Sequence, residues 1–160
     1  LGEKAYASLT DIPDAIDLVL IFQRSENVPP FVDQAISMGA KSVWMQAGIW
    51  HETAAAKARE AQMLSESEKY QALIRERLSQ AWYPPSSATE EMTARLQITL
   101  LPTGELAGVR LVSSSGNTAF DNSALGAVRS LSRYPIPNDR DTFERYFRQF
   151  TIEFNPRRLR

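Results

Sequence analysis

The chain holds no cysteine and a single histidine among its 160 residues. Without cysteine there is no disulfide framework, no thiol nucleophile and no thiolate cage for zinc. One histidine excludes a His pair on a metal, and any Ser-His-Asp triad would have to be built on His51. Long hydrophobic runs are missing as well: the longest, Leu18 to Phe22, is far too short to span a bilayer. An excess of one charge is also absent. A formal net charge of -1 gives no general attraction to nucleic acid or to an anionic membrane. The lack of cysteine leaves the redox compartment open. The chain begins at Leu1 without a methionine or a signal sequence, which gives the expectation of an excised piece.

What is present is an ordinary globular composition, 43% hydrophobic and 23% charged, in a length that suits one medium domain or two small ones. The charges divide unevenly. Residues 1 to 64 carry five basic and eight acidic side chains, whereas residues 65 to 160 carry thirteen basic and eleven acidic, and twelve of those thirteen are arginine. This seam points to two parts, 1–64 and 65–160.

The first part alternates strand and helix. Ile16 to Phe22 is a near-continuous apolar run, the pattern of a strand covered on both faces. Val28-Pro29-Pro30 suits a helix start, Phe31, Val32, Ala35 and Ile36 follow at helical spacing, and Gly39 closes the helix. Ser42 to Gln46 reads as a second strand ended by Gly48, and an Ala-rich helix starts at His51-Glu52. Two parallel strands arranged β-α-β-α cannot cover themselves.

The second part has another grammar. Ser65-Glu66-Ser67-Glu68 has capping-box spacing and favours a new helix there over one continuous from His51, with Tyr70, Leu73, Ile74, Leu78 and Ala81 as its stripe, stopped by Trp82-Tyr83-Pro84-Pro85. Met92 to Leu100 alternates as a half-buried strand, Pro102-Thr103-Gly104-Glu105 turns the chain, and Leu106 to Val112 returns. Asn117 or Thr118 caps a helix with Phe120, Ala124, Ala127, Val128 and Leu131 inward. A short helical turn near Asp139 to Arg145 precedes a last strand, Tyr146 to Phe154, with Phe150, Ile152 and Phe154 on one face. The fold class expected is α+β: a truncated βαβα Rossmann-like segment joined to an α-β-β-α-β module, with room for the two to merge in one mixed sheet.

Phrases in both parts resemble known families. Tyr6-Ala7-Ser8-Leu9-Thr10-Asp11-Ile12-Pro13, Ile16-Asp17-Leu18-Val19, Ala35-Ile36-Ser37-Met38-Gly39-Ala40-Lys41 and Val43-Trp44-Met45-Gln46 resemble the small CoA-binding domain proteins, a Rossmann-like family. Trp82-Tyr83-Pro84-Pro85, Ile98-Thr99-Leu100-Leu101-Pro102-Thr103-Gly104, Val112-Ser113-Ser114-Ser115-Gly116-Asn117 and Phe150-Thr151-Ile152-Glu153-Phe154 resemble the C-terminal domain of TolA, related in fold to that of TonB. The first resemblance covers residues 1 to about 61 and the second about 68 to the end.

The first resemblance implies a cytoplasmic CoA binder, which here would touch the nucleotide through Phe22, Gln23, Arg24 and Ser25. That family's leading strand and Gly-rich phosphate turn lie upstream of Leu1, its closing strand is replaced by the second part, and Gln23 stands where the family commonly has Arg; no resident cofactor is therefore expected. The second implies a periplasmic module that meets TolB- and Pal-like envelope proteins and that colicins and filamentous phage coat protein exploit. Its expected route is strand addition along Tyr146, Arg148, Gln149, Thr151, Ile152 and Glu153, with strand-swapped homodimers as a competing use of the same edge.

Local features with a chemical look have plainer readings. Met38-Gly39-Ala40-Lys41-Ser42 lacks the upstream glycine of a phosphate loop and precedes a strand, so it reads as a connection. Ser113 to Gly116 reads as a turn, His51 as a helix-cap residue, Glu90-Glu91 and Asp139-Arg140-Asp141 as solvated charges, and Arg157 to Arg160 as a solubilising tail. The expectation is an artificial or recombined, non-enzymatic chimera of two families, with a CoA or nucleotide binder as the alternative.

Overall fold

The computed structural model describes residues 4–159. It divides into two compact units, Leu1–Ser65 and Glu66–Arg160. In the first, β1 (Leu18–Ile21) and β2 (Ser42–Met45) pair in parallel, Leu18 opposite Ser42 and Ile21 opposite Met45. They are linked through α1 (Val28–Ser37), whose first turn accepts Pro29 and Pro30 because no intrahelical N–H bond is made there. Val19, Ile21, Val28, Val32, Ala35 and Ala54 form the buried core.

Only one face of this small sheet is covered. Val19 and Ile21 are buried while Leu18 and Leu20 are half exposed and Phe22 is 63% exposed. The apolar run read as a strand buried on both faces is therefore buried on one, because the helical residues of this unit's core pack against a single face of two strands. On the open face Phe22 meets Trp44 edge-on, ring centroids 6.3 Å apart.

Helix α2 runs from Glu52 to Ala81 without a break. This corrects the expected new start at Ser65: no Gly or Pro interrupts residues 52–81, and Ser67 is 1% exposed inside the helix. At the start of α2, His51 Nδ1 accepts from the Ala54 N–H at 3.3 Å and lies 2.9 Å from the Thr53 hydroxyl, so His51 does cap the helix.

The second unit adds β3 (Ala94–Leu100), β4 (Leu106–Ser113), α3 (Thr118–Ser130), α4 (Arg140–Tyr146), β5 (Gln149–Asn155) and β6 (Arg158–Leu159). Its four strands stand in the order β4-β3-β5-β6, antiparallel throughout, apart from the β1-β2 sheet. The fold is α+β with two separate sheets, so no mixed sheet joins the parts. Ala94, Leu96, Ile98, Leu100, Ile152 and Phe154 supply the buried sheet face, and Ile74, Leu78, Phe120, Ala124, Val128 and Phe143 pack with them. Leu73, placed on the buried stripe by its spacing, is partly exposed, as α2 turns Ile74 and Leu78 inward instead.

Aromatic and polar contacts fix the ends of these elements. Trp82, just past α2, lies edge-on to Phe120 at 5.5 Å and to Phe154 at 5.1 Å, and donates its indole N–H to the Ser123 hydroxyl at 3.0 Å. Asn117 caps α3 by accepting from the Phe120 N–H, and Asp139 caps α4 by accepting from the Thr142 N–H and hydroxyl. Those Thr142 bonds hold the Asp139 carboxyl below the usual range, so Asp139 is a cap and not a free charge. Likewise Glu90 pairs with Arg157, and Arg158 enters β6, which draws the expected tail into the fold. Arg160 lies outside the described residues.

Candidate functional site

A sheet edge is a site only where main-chain groups are unpaired, so the direction of each N–H and C=O in β5 decides what it offers. In an antiparallel pair, alternate residues turn both main-chain groups to the partner and the others turn both away. The Leu100 N–H donates to the Arg148 carbonyl at 3.0 Å, continuing the β3-β5 register that sets Thr99 opposite Gln149 and Ala94 opposite Phe154. Phe150, Ile152 and Phe154 therefore bond to β3. Gln149, Thr151 and Glu153 point theirs to the outer edge. Strand β6 takes up only the far end, opposite Phe154 and Asn155. Three consecutive outward rungs, at 149, 151 and 153, are left without a strand partner among the described residues.

The edge is paired with a groove. Gln71, Ile74 and Arg75 of α2 stand beside Phe150, Thr151 and Ile152 of β5 and enclose a space of about 100 Å³. The groove floor is apolar where Ile74, Phe150 and Ile152 meet, and its rim carries the Gln71 amide and the Arg75 guanidinium, joined by a 3.2 Å hydrogen bond. On the opposite face Arg95 holds Glu153 at 2.9 Å, and at the near end Arg148 holds Glu144 at 2.8 Å.

The opposite edge, β4, is built differently. Its register against β3 slips twice, leaving Val112 and Ala107 as extra residues in β4. Bulges of this kind twist an edge and break its row of donors and acceptors, which discourages strand pairing. The register of β5 against β3 has no such slip.

The residues read from sequence as a binding edge thus separate into groups. Gln149, Thr151 and Glu153 present main-chain groups outward. Ile152 turns its own to β3 and is buried by its side chain, lining the groove floor. Tyr146 and Arg148 are outside the strand: Tyr146 ends α4, and the Phe147 and Arg148 N–H groups both donate to the Phe143 carbonyl, which prolongs the helical turn to the edge of β5. Gln71, Ile74 and Arg75 were missed as site residues. Ile74 belonged to the predicted stripe, but nothing in helical spacing says that this stripe borders a sheet edge.

The four residues read as nucleotide contacts also part. Phe22 and Gln23 line a groove of about 400 Å³ with Tyr6, Leu9, Ile12 and Phe31. Arg24 opens a short 3-10 turn, and the Ser25 hydroxyl accepts from the Trp50 N–H at 3.2 Å, bridging the loops after β1 and β2. A CoA pyrophosphate needs a row of free N–H groups at a helix N-terminus. In α1 the first turn holds Pro29 and Pro30, which have no N–H, and in α2 the Ala54 N–H is taken by His51. Neither helix start presents a full row of such donors.

Of the remaining carboxylates, Asp121 is buried and fully engaged. Burial pushes its carboxyl up, yet donation by the Ser114 hydroxyl and by the Ser115 N–H and hydroxyl outweighs this and holds it below the usual range. It locks the β4-α3 turn, the role read for Ser113 to Gly116.

Comparison with known proteins gives two matches that meet inside α2. Residues 1–70 match the family model for the CoA binding domain, and residues 67–154 match that for the TonB C terminal. The Tol-Pal system protein TolA of Pseudomonas aeruginosa is 38% identical over 89 residues, 54% of this chain but 26% of that protein. The uncharacterized protein YneT of Bacillus subtilis (strain 168) is 39% identical over 54 residues, 34% of this chain and 40% of YneT. Among solved structures, TolAIII bound to a peptide derived from the N-terminus of TolB, a solution NMR structure, is similar at a TM-score of 0.50 and 37% identity, covering 55% of this chain and 73% of that one. The architecture is thus two-part, and the chain spans only a minority of either curated relative's length.

Proposed function

Since residues 67–154 make this chain a member of the TonB C-terminal family, we propose that its second unit is a protein-interaction module that takes an extended peptide strand on the outer edge of β5. The observation that carries the reading is the row of outward main-chain groups at Gln149, Thr151 and Glu153, unslipped in register and beside an apolar groove. The TolAIII structure with its TolB-derived peptide supports a TolB-like N-terminal segment as the partner, and with it a place in the periplasmic envelope. Among the described residues no helix is long and apolar enough to cross a membrane.

The reading is non-catalytic and without a resident cofactor. It is supported by the spending of reactive groups on structure: His51 caps α2, Asp121 is saturated by Ser114 and Ser115, and Pro29 and Pro30 remove the donors that a phosphate would need. The chain as a whole is a chimera of two families joined through α2. In support, the two family matches overlap at residues 67–70, within that helix.

Calorimetry of the whole chain with a synthetic peptide from the TolB N-terminus tests the proposal. Binding by the native chain and its loss in Thr151→Pro, which removes one outward N–H, is the expected result. Equal binding by the variant, or no heat from the native chain, contradicts it.

A further inference from the structure

Resting on strand addition at β5, we infer that the incoming strand is selected for a carboxylate side chain on the face that looks toward α2. In a sheet, side chains directly opposite one another lie on the same face. Residues of an added strand that stand level with Phe150 and Ile152 are therefore directed into the groove formed with Gln71, Ile74 and Arg75. An apolar side chain there continues the floor made by Ile74, Phe150 and Ile152.

The charges around the edge are unequal. Glu153 is matched by Arg95 and Glu144 by Arg148. Arg75, half-buried at the groove rim, has a neutral partner in the Gln71 amide. A carboxylate two residues along from the apolar anchor lies on the same face of the added strand and meets that guanidinium, whose planar fork suits two parallel bonds to it. A basic side chain in the same place meets the Arg75 charge at short range. The partner chemistry is thus an extended segment alternating between solvent-facing polar residues and a groove-facing set that combines apolar residues with one Asp or Glu.

The test uses the whole chain and three eight-residue peptides with threonine at odd positions and valine at even ones, except that position four is Asp, Asn or Lys. Binding is followed by backbone amide shifts. The Asp peptide is expected to bind about three- to fivefold more tightly than the Asn peptide, as a partly screened ion pair gives, with the Lys peptide weakest. Added salt narrows that order. Arg75→Gln is expected to erase the preference for the Asp peptide over the Asn peptide. Equal binding of Asp and Asn peptides by the native chain overturns the inference, and so does a preference that survives in Arg75→Gln. If no peptide moves the amides of Gln149, Thr151 and Glu153, the strand-addition reading itself fails and takes this inference with it. The ordering of the three peptides on the native chain decides the matter even where the variant folds poorly.

Discussion

The Leu100 N–H donates to the carbonyl of Arg148, and this one bond fixes the facing of every later residue in β5. Its consequence is a contrast between neighbours. Pro at 152 removes a bond to β3 and a buried side chain, whereas Pro at 151 removes an N–H that has no strand partner among the described residues. Ile152→Pro is expected to cost about 3 kcal/mol or more of stability. Thr151→Pro should keep the native urea midpoint within a few tenths of a molar, since Pro is accepted on edge strands. Urea unfolding of both variants checks this.

Gly104 and Tyr134 are locked together. The Tyr134 N–H donates to the Gly104 carbonyl at 2.8 Å, Gly104 has φ +85°, and a β-carbon there would fall 2.7 Å from the Tyr134 carbonyl oxygen. Gly104→Ala should therefore cost more than the roughly 1–2 kcal/mol of a left-handed backbone alone. Thermal unfolding measures it.

Acid sensitivity should trace to Asp121. Its carboxyl is held below the usual range in the folded chain, so the unfolded chain binds the proton more readily. The stabilisation is then complete above the ordinary carboxylate pKa of about 4 and is lost as pH falls through the lower folded value. Asp121→Asn should flatten the fall in urea midpoint between about pH 5 and pH 2 while lowering the midpoint at pH 7. A native-like acid limb in the variant would assign the fall to other groups.

The buried core of the second unit begins at Ile74, with Tyr70 packed against it. A fragment of residues 66–160 should therefore fold by itself and show the same transition as that unit in the whole chain. Circular dichroism melts of both compare them.

Much of this fold is legible from patterning. The alternation of Phe150, Ile152 and Phe154 names the buried face of β5, and Asn117 marks the start of α3. What patterning does not hold is the identity of a strand's neighbours. The run Ile16 to Phe22 reads as doubly buried because apolarity alone does not count the helices available to cover it. Ser65 to Glu68 has the composition of a cap, but a cap requires the preceding turn to leave helical geometry, and an unbroken stretch without Gly or Pro gave it no reason to do so. Thr151 and Ile152 are adjacent letters in the sequence; only pairing with β3 shows which of them offers an N–H to a partner. Arg75 is one of twelve arginines in its part of the chain, singled out by standing beside β5.

The central claim is strand addition at 149, 151 and 153, and amide hydrogen exchange at Thr151 tests it most directly. In the free chain the Thr151 amide should exchange far faster than that of Ile152, and saturating TolB-derived peptide should slow Thr151, with Gln149 and Glu153, while Ile152 changes little. Protection that appears along β4 instead, or a Thr151 amide that exchanges at the same rate with and without a bound peptide, would contradict the account.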